Sequence, residues 1–250
     1  GGSWRSLWHE LRVNRPLWSY LVLRGANGLS TGMIASLYFF YLDRYLGILD
    51  RFSYLNLGGL AFGFIGSSVW LRVMYRVGKH RALAASSVTV ILTLAAFALM
   101  RPGPHAFAIA SGVWMASSLG TTGVETASYA LLSDVVDYGE LKSGENRAGN
   151  YWALQAFMQK VTIAAGGGLA LIIIGLFGFQ PDGSNGPVAL RGFFLTFIFI
   201  PMALNLIAAI VAWKFPIDRR RHDIIRRRID TRGKRTEVSS RAVEAGSVVL

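Results

Sequence analysis

The chain has 250 residues, of which 52% are hydrophobic and only 16% are charged, and its formal net charge is +12. Soluble domains usually carry about 25% charged residues, so this composition indicates a membrane protein. The chain contains no cysteine, which excludes disulfides, thiolate metal sites and a cysteine nucleophile.

Six apolar stretches are each long enough to cross a hydrocarbon core of about 30 Å. Each is expected to be an α-helix, because backbone groups in lipid must form their hydrogen bonds within the segment. The stretches lie at residues 17–46, 53–75, 82–100, 106–131, 150–179 and 192–215. The sequence therefore predicts an all-α integral membrane protein whose six transmembrane helices form a domain over residues 17–215.

Lysine and arginine are unevenly distributed between the two sides of this predicted domain. Of the 26 basic residues, 20 fall on the side of the two termini and four on the opposite side. Because cytoplasmic loops retain basic residues, both termini are predicted to be cytoplasmic. Residues 1–16 then form a cytoplasmic lead-in segment, and residues 216–250 form a basic cytoplasmic tail.

The tail is expected to contact membrane lipid, or only to set the topology, and not to bind nucleic acid. From Lys214 onward it holds 11 bases and five acids. Ile217, Ile224, Ile225 and Ile229 are spaced between arginines along one helical face, as in helices that lie on anionic lipid headgroups. We expect this part of the tail to be amphipathic and the remainder to be disordered.

A single lysine, Lys160, lies ten residues inside the fifth apolar stretch, roughly 15 Å along a helix axis. A charge at this depth is costly unless it is paired, so it indicates a functional site. Glu125, in the fourth stretch, is the expected partner. We expect substrate or a proton to break a Glu125–Lys160 pair, and a permanent neutralising pair is the alternative.

Arg24 and Asn27 lie one helical turn apart in the first stretch and therefore share a face. They are candidates to bind an anionic group such as a uronate or a sulfonate. Alternatively, the Arg24 side chain extends to the cytoplasmic interface, some two turns away.

Acidic and basic residues meet at the predicted cytoplasmic side. We expect ion pairs between two loops to form a cytoplasmic gate, although ordinary positive-inside topology is an alternative because exposed ion pairs contribute only ~0–1 kcal/mol each. The acids follow the fourth stretch and the bases follow the second: Asp134, Asp137 and Glu140, and Arg72, Arg76, Lys79 and Arg81.

The spacing of Asp134 and Asp137 also occurs in membrane prenyltransferases, where aspartates hold magnesium and a diphosphate. Such sites require a second acidic motif, which the predicted cytoplasmic face lacks. An enzyme is therefore not expected.

Small residues indicate close packing between helices. Glycines at 166, 167 and 168 interrupt the fifth stretch, and packing is their expected role, with hinging as the alternative. Pro201 is expected to kink the sixth helix.

The run Asp134-x-x-Asp137-Tyr138-Gly139-Glu140, followed by Lys160, resembles the loop and eleventh helix of the glycoside–pentoside–hexuronide:cation symporters. This family is the melibiose-permease branch of the major facilitator superfamily. The turn at residues 76–81 is similar to the basic turn of the superfamily between helices eight and nine. The resemblance covers essentially the whole chain, but only helices seven to twelve of the family. It implies one half of a major-facilitator fold, whose partner is a six-helix amino-terminal half.

The resemblance also implies roles for individual residues. It places Lys160 and Gln155 on the cavity-facing side of helix eleven, where they would contact a sugar. Glu125 takes the position of a cavity-facing tryptophan in melibiose permease, which argues against a galactoside substrate. Together with Arg24 and Asn27, these residues are the expected substrate-binding set.

The function implied by the resemblance is sugar, glycoside or uronide symport with a cation, by alternating access, in a bacterial inner membrane. No cofactor is expected, and the site for the coupling Na⁺ or H⁺ is expected on the other half. The chain is expected to be a truncated product, a split transporter or a fragment. Two alternatives are a lipid or amphiphile carrier of the same family, and a non-transporting scaffold or sensor built on a degenerate half.

Overall fold

The computed structural model describes residues 14–145, 147–181 and 183–217, together with Ile224 and Thr231. The described chain is helical, and its helices are α1 (Arg15–Phe40), α2 (Phe52–Val77), α3 (Lys79–Leu99), α4 (Ala106–Ser143), α5 (Ala148–Leu176), α6 (Pro187–Phe194) and α7 (Ile200–Trp213). A π-helical segment, Tyr41–Leu46, extends α1, and a second, Leu195–Phe199, joins α6 to α7. Most of the predicted lead-in segment and most of the tail, including Ile225 and Ile229, lie outside the described residues.

Four helical stretches are long and apolar enough, by length and composition, to cross a membrane: Leu49–Val77, Lys79–Leu99, Ala148–Leu176 and Pro187–Trp213. The other two long helices, α1 and α4, pack within the same bundle but are more polar. Their lower hydropathy comes from glycine, serine, threonine and charged residues, some of which belong to the site described below. The prediction of six crossings is thus supported for four helices and stays a prediction for α1 and α4.

Helix α4 is longer than the sequence predicted. It continues to Ser143, so the acidic residues lie on its last turns and not in a loop, and this part of the prediction is wrong. The helix ends at Gly144, whose φ of 76° is left-handed and whose N–H donates to the carbonyl of Glu140. Acidic side chains near a helix end can be paired, as Asp134 is with Lys79, or solvated without leaving the helical conformation, so the charges did not mark the end of the helix.

The helices form two interlocked groups of three. Helix α1 packs against α5 and α7, whereas α4 packs against α2 and α3. Helices α3 and α7 contact each other and join the two groups. Each central helix thus packs against helices from the other half of the chain, an arrangement typical of internally repeated transporters. Helices α1 and α4 contact each other less extensively, so the side chains that bridge them carry much of their contact.

Glycines bring α1 and α5 into backbone contact. A Cβ atom at Gly166 would collide with the carbonyl oxygen of Leu29, and one at Gly32 would collide with the carbonyl oxygen of Ile163. A Cβ atom at Gly167 would lie 2.6 Å from the Ser36 hydroxyl. Membrane helices associate through such close packing of small residues. The α1–α5 seam therefore requires glycine, which supports the packing role over the hinging one for these two positions of the 166–168 run.

The proline in the last predicted span coincides with a change of helix type. Pro201 lies in the first turn of α7, directly after the π-helical segment Leu195–Phe199. Proline has no N–H to donate to the carbonyl four residues earlier, and local π-helical turns accommodate such gaps in membrane helices. Asn205 then donates to the Pro201 carbonyl (2.9 Å) and to the Ser30 hydroxyl of α1 (2.7 Å).

Replacement of Gly166 by alanine is expected to lower the free energy of unfolding by about 1–3 kcal/mol, because the added methyl group forces α1 and α5 apart. Gly168 is the matched control, since a Cβ atom there meets nothing within 4 Å. Gly168→Ala should leave stability unchanged or slightly higher. Thermal unfolding in detergent compares the two variants, and equal midpoints would contradict the packing role of Gly166.

Candidate functional site

An ion pair between Arg24 and Glu125 lies in the middle of the bundle. The guanidinium of Arg24 on α1 donates to both carboxylate oxygens of Glu125 on α4, at 2.9 and 2.8 Å. The two partners differ in exposure: 2% of the Arg24 side chain is accessible, against 38% of the Glu125 side chain. This two-pronged geometry is the strongest arrangement available to a guanidinium and a carboxylate. The pair connects the two helix groups at their central contact.

Aromatic and amide side chains surround the pair. The Arg24 guanidinium lies over the Tyr129 ring, 5.9 Å from its centre. The Tyr129 hydroxyl contacts the amide oxygen of Gln159 at 3.4 Å, and the Gln155 amide donates to the same oxygen at 3.4 Å. Tyr129 also stacks beside Trp152 of α5, with ring centres 6.0 Å apart. The site is therefore built from α1, α4 and α5.

Several buried polar atoms at this level have no hydrogen-bond partner among the described residues. Both amide atoms of Asn27, the Nε of Arg24, the amide oxygen of Gln155 and the hydroxyl of Tyr20 are in this condition. A buried polar group without a partner costs roughly 1–3 kcal/mol. Their concentration on α1 and α5 beside one ion pair indicates a place where a polar ligand or water satisfies them.

One face of α4 is polar along its outer half and leads to Glu125. Ser118, Thr121 and Thr122 precede Glu125 by seven, four and three residues, which places them on the same face of the helix. These three residues line an open groove of about 430 Å³ between α2 and α4. Asn56 of α2 and Trp114 of α4 also line the groove. A half-exposed polar stripe in a membrane helix is expected to face water or protein and not lipid.

The structure places four of the five predicted binding residues at or beside the central ion pair. It also gives Glu125 a different partner from the predicted one. Arg24, Asn27, Glu125 and Gln155 lie there, whereas Lys160 is exposed on the surface of α5. Glu125 pairs with Arg24, so the expected Glu125–Lys160 pair is wrong. The reason is rotational: the buried stripe of α5 runs through Gln155 and Gly166, and Lys160 lies about a third of a turn from it.

The alternative in which Arg24 extends to the interface is also wrong, because its side chain is buried between helices. Sequence reasoning missed Tyr129 and Gln159. Each lies four residues after a predicted site residue, Glu125 or Gln155, and this i,i+4 spacing on one helix face was the available signal.

At one end of the bundle the structure brings two predicted gate residues, Lys79 and Asp134, together. The ammonium of Lys79, the first residue of α3, lies 2.5 Å from a carboxylate oxygen of Asp134 on α4. The Asp134 side chain is 6% exposed and that of Lys79 is 34% exposed. Arg81 lies over the ring of Trp213, 5.9 Å from its centre. The other predicted gate residues lie near this end of the bundle: Arg72, Arg76, Asp137 and Glu140.

Residues 1–219 match the family described as MFS/sugar transport protein. The chain belongs to this family. The resemblance to the sugar–cation symporters of the major facilitator superfamily is thereby confirmed, and the chain is an integral membrane protein. The family consists of transport proteins and not enzymes, which leaves the prenyltransferase-like interpretation of the two aspartates without support.

Several bacterial proteins of this kind are similar to the chain. The uncharacterized symporter YjmB of Bacillus subtilis is 27% identical over 84% of this chain and 45% of its own length. The glucuronide carrier protein homolog of Escherichia coli is 24% identical over 90% of this chain and 49% of its own length. A putative sulfoquinovose importer of Escherichia coli is 30% identical over 45% of this chain and 24% of its own length.

The chain spans about half the length of the curated relatives that it matches over most of its length. These relatives are bacterial, which agrees with a location in a bacterial inner membrane.

Lys79 and Asp134 are expected to show an energetic coupling of about 1–2 kcal/mol in a double-mutant cycle, because Asp134 is buried. Lys79→Gln should destabilise the protein in detergent, and Asp134→Asn should cost much less once Lys79 is replaced. The control pair is Arg147 and Glu145, which lie 2.7 Å apart with Glu145 66% exposed. Its coupling should be ~0–0.5 kcal/mol. Equal coupling energies for the two pairs would contradict a stabilising role for the buried Lys79–Asp134 pair.

Proposed function

We propose that this chain is the carboxyl-terminal half of a cation-coupled sugar symporter that works by alternating access. The observation that carries the proposal is the group of buried, unpaired polar atoms around the Arg24–Glu125 pair, near the middle of the helices. Such groups within a membrane bundle are expensive and mark substrate paths. Family membership supplies the class of cargo, a sugar or a glycoside.

The exposed faces of α2 and α5 support a second half as partner. Helix α2 packs mainly against α4, and α5 mainly against α1, so each leaves much of its surface uncovered. The exposed surface of α5 includes Lys160, a charge that lipid would accommodate poorly at this depth. A six-helix partner across α2 and α5 would enclose Lys160 and the α2–α4 groove in a central cavity. Transporters of this kind bind substrate between two such halves.

The site is suited to a sugar that carries an acidic group. Gln155 and Asn27 offer amide donors and acceptors for hydroxyl groups, and Arg24 offers a guanidinium for an anion. Two relatives bear names that refer to such sugars, glucuronide and sulfoquinovose. The coupling ion is Na⁺ or H⁺. In the described part of the chain, no group of three or more acidic or histidine side chains could hold a metal ion.

The cytoplasmic gate belongs to the same proposal. Lys79 and Asp134 join the start of α3 to the end of α4, and both helices belong to one helix group. A pair within one group stiffens that end of the half, so that it moves as a unit against its partner half. We infer that Arg72, Arg76, Asp137 and Glu140 make the contacts that change between open and closed states.

The proposal predicts uptake that requires both halves. The chain would be joined to the amino-terminal half of the glucuronide carrier homolog, reconstituted into vesicles, and supplied with labelled glycosides and uronides. Uptake should appear with both halves and be absent with this chain alone. No uptake of any sugar by correctly inserted, paired halves would contradict the proposal and favour a scaffold, a sensor or an amphiphile carrier.

Gln155→Leu and Lys160→Ala should each reduce this uptake at least about tenfold, the effect of losing one good hydrogen bond or charge contact to substrate. The matched control for Lys160 is Lys142→Ala, which removes an exposed lysine from the last turn of α4. The control should transport normally. A Lys160→Ala variant as active as Lys142→Ala would remove Lys160 from the binding site.

A further inference from the structure

The two members of the central ion pair differ in their exposure to solvent. Arg24 is buried on all sides, whereas more than a third of the Glu125 side chain is accessible. A proton from water can therefore reach the carboxylate, whereas the guanidinium is shielded from solvent and donates to the carboxylate through both of its terminal nitrogens. Glu125 thus occupies both terminal nitrogens of Arg24, the donors that an anionic group of a substrate would need.

Glu125 is also isolated from other acids. The remaining aspartates and glutamates of the described residues lie at the helix ends or in the loops, at Asp43, Asp50, Asp134, Asp137, Glu140 and Glu145. The guanidinium of Arg24 binds Glu125 directly, and the phenol groups of Tyr20 and Tyr129 are the other titratable groups beside the pair. On α5, the side chain that contacts the Tyr129 hydroxyl is Gln159, which is uncharged like its neighbour Gln155, and Lys160 is exposed on the surface of the helix.

The charge of the buried guanidinium must always be balanced. An arginine left unpaired in such a place is strongly destabilising, because its charge is neither solvated nor balanced. Protonation of Glu125 alone would create this state. Arrival of an anion alone would place two carboxylates on one guanidinium. Only a proton and an anion together leave the site as neutral as before.

We propose that Glu125 is the proton-binding group of this half, and that it occupies the position on Arg24 that an acidic group of the substrate takes during transport. This inference rests on the proposed function. In the exchange, one proton from water binds a carboxylate oxygen of Glu125 and its two hydrogen bonds to Arg24 break. The substrate carboxylate then accepts both hydrogen bonds. The unpaired atoms of Asn27 and Gln155 are available to the sugar hydroxyls.

In this exchange, the coupling between proton binding and substrate binding arises from the Arg24–Glu125 pair. Each bound acidic sugar brings one proton, so proton and anion cross the membrane together without net charge at this site. A neutral sugar gives Arg24 no replacement for Glu125 and leaves the pair closed. A purely structural ion pair would instead bind both kinds of sugar equally and take up no proton.

The test compares methyl β-D-glucuronide with methyl β-D-glucoside, which differ in having a carboxylate or a hydroxymethyl group at one carbon. Both are offered to the paired-halves preparation of the uptake experiment, between pH 5.5 and 8.5. A pH-indicator dye in weakly buffered detergent solution counts the protons taken up at saturation. We expect one proton per bound glucuronide, none with the glucoside, and glucuronide affinity that falls about tenfold per pH unit at the alkaline end.

Glu125→Gln should abolish the proton uptake and make glucuronide affinity independent of pH, because the amide is neutral at every pH. Arg24→Gln should remove the preference for the glucuronide over the glucoside. The control is Asp43→Asn, which alters another carboxylate beside an arginine, Arg44, at 3.0 Å near the far end of the first helix. This variant should behave as the wild type.

Each other result has a definite meaning. Glucuronide binding without proton uptake by the wild type overturns the inference, and this measurement needs no variant to fold. An unchanged pH profile in a folded Glu125→Gln variant, or tight binding of the glucoside alone, also overturns it while the proposed function stands. Binding and uptake of neither sugar, with the halves correctly inserted, overturns the proposed function and the inference with it.

Discussion

The balance of one buried positive charge governs the centre of this protein. Arg24 is held inside the bundle with both prongs of its guanidinium on Glu125, where α1 and α4 cross. These two helices share few other contacts, so the pair joins the two helix groups at their middle. The same requirement for balance limits what the site can do: a change at Glu125 must be matched by an equivalent change at Arg24.

Close packing of glycine keeps this charge buried. The contacts of Gly32 and Gly166 bring the backbones of α1 and α5 together, and the buried face of α5 then presents Gln155 toward α1. On the other side, Gly123 of α4 leaves room for the indole of Trp70, whose N–H donates to the Leu119 carbonyl at 2.9 Å. Small residues thus set the distances between helices, and those distances determine which polar side chains meet.

Polarity is distributed unevenly among the helices because they have different tasks. The four most apolar stretches include α2, α3, α5 and the α6–α7 helix, whereas α1 and α4 carry the buried pair and the polar face. The two central helices are less hydropathic because they carry polar residues, and the helices around them are more apolar. This arrangement is consistent with a transporter half. At the end of the bundle that contains Lys79 and Asp134, the acidic residues lie on α4 itself, and this helix continues beyond the boundary predicted from the sequence.

The sequence by itself determined the helical class, the approximate positions of the apolar stretches, the family and most of the residues at the site. These follow from local quantities, namely hydropathy over about 20 residues, the rarity of charges within it, and motifs. The tertiary structure alone decided which charges pair. A helix turns by about 100° per residue, so depth along the sequence placed Glu125 and Lys160 at one level but could not place them on facing sides. In the folded bundle Lys160 lies exposed on α5, and Arg24 of α1 is the partner of Glu125.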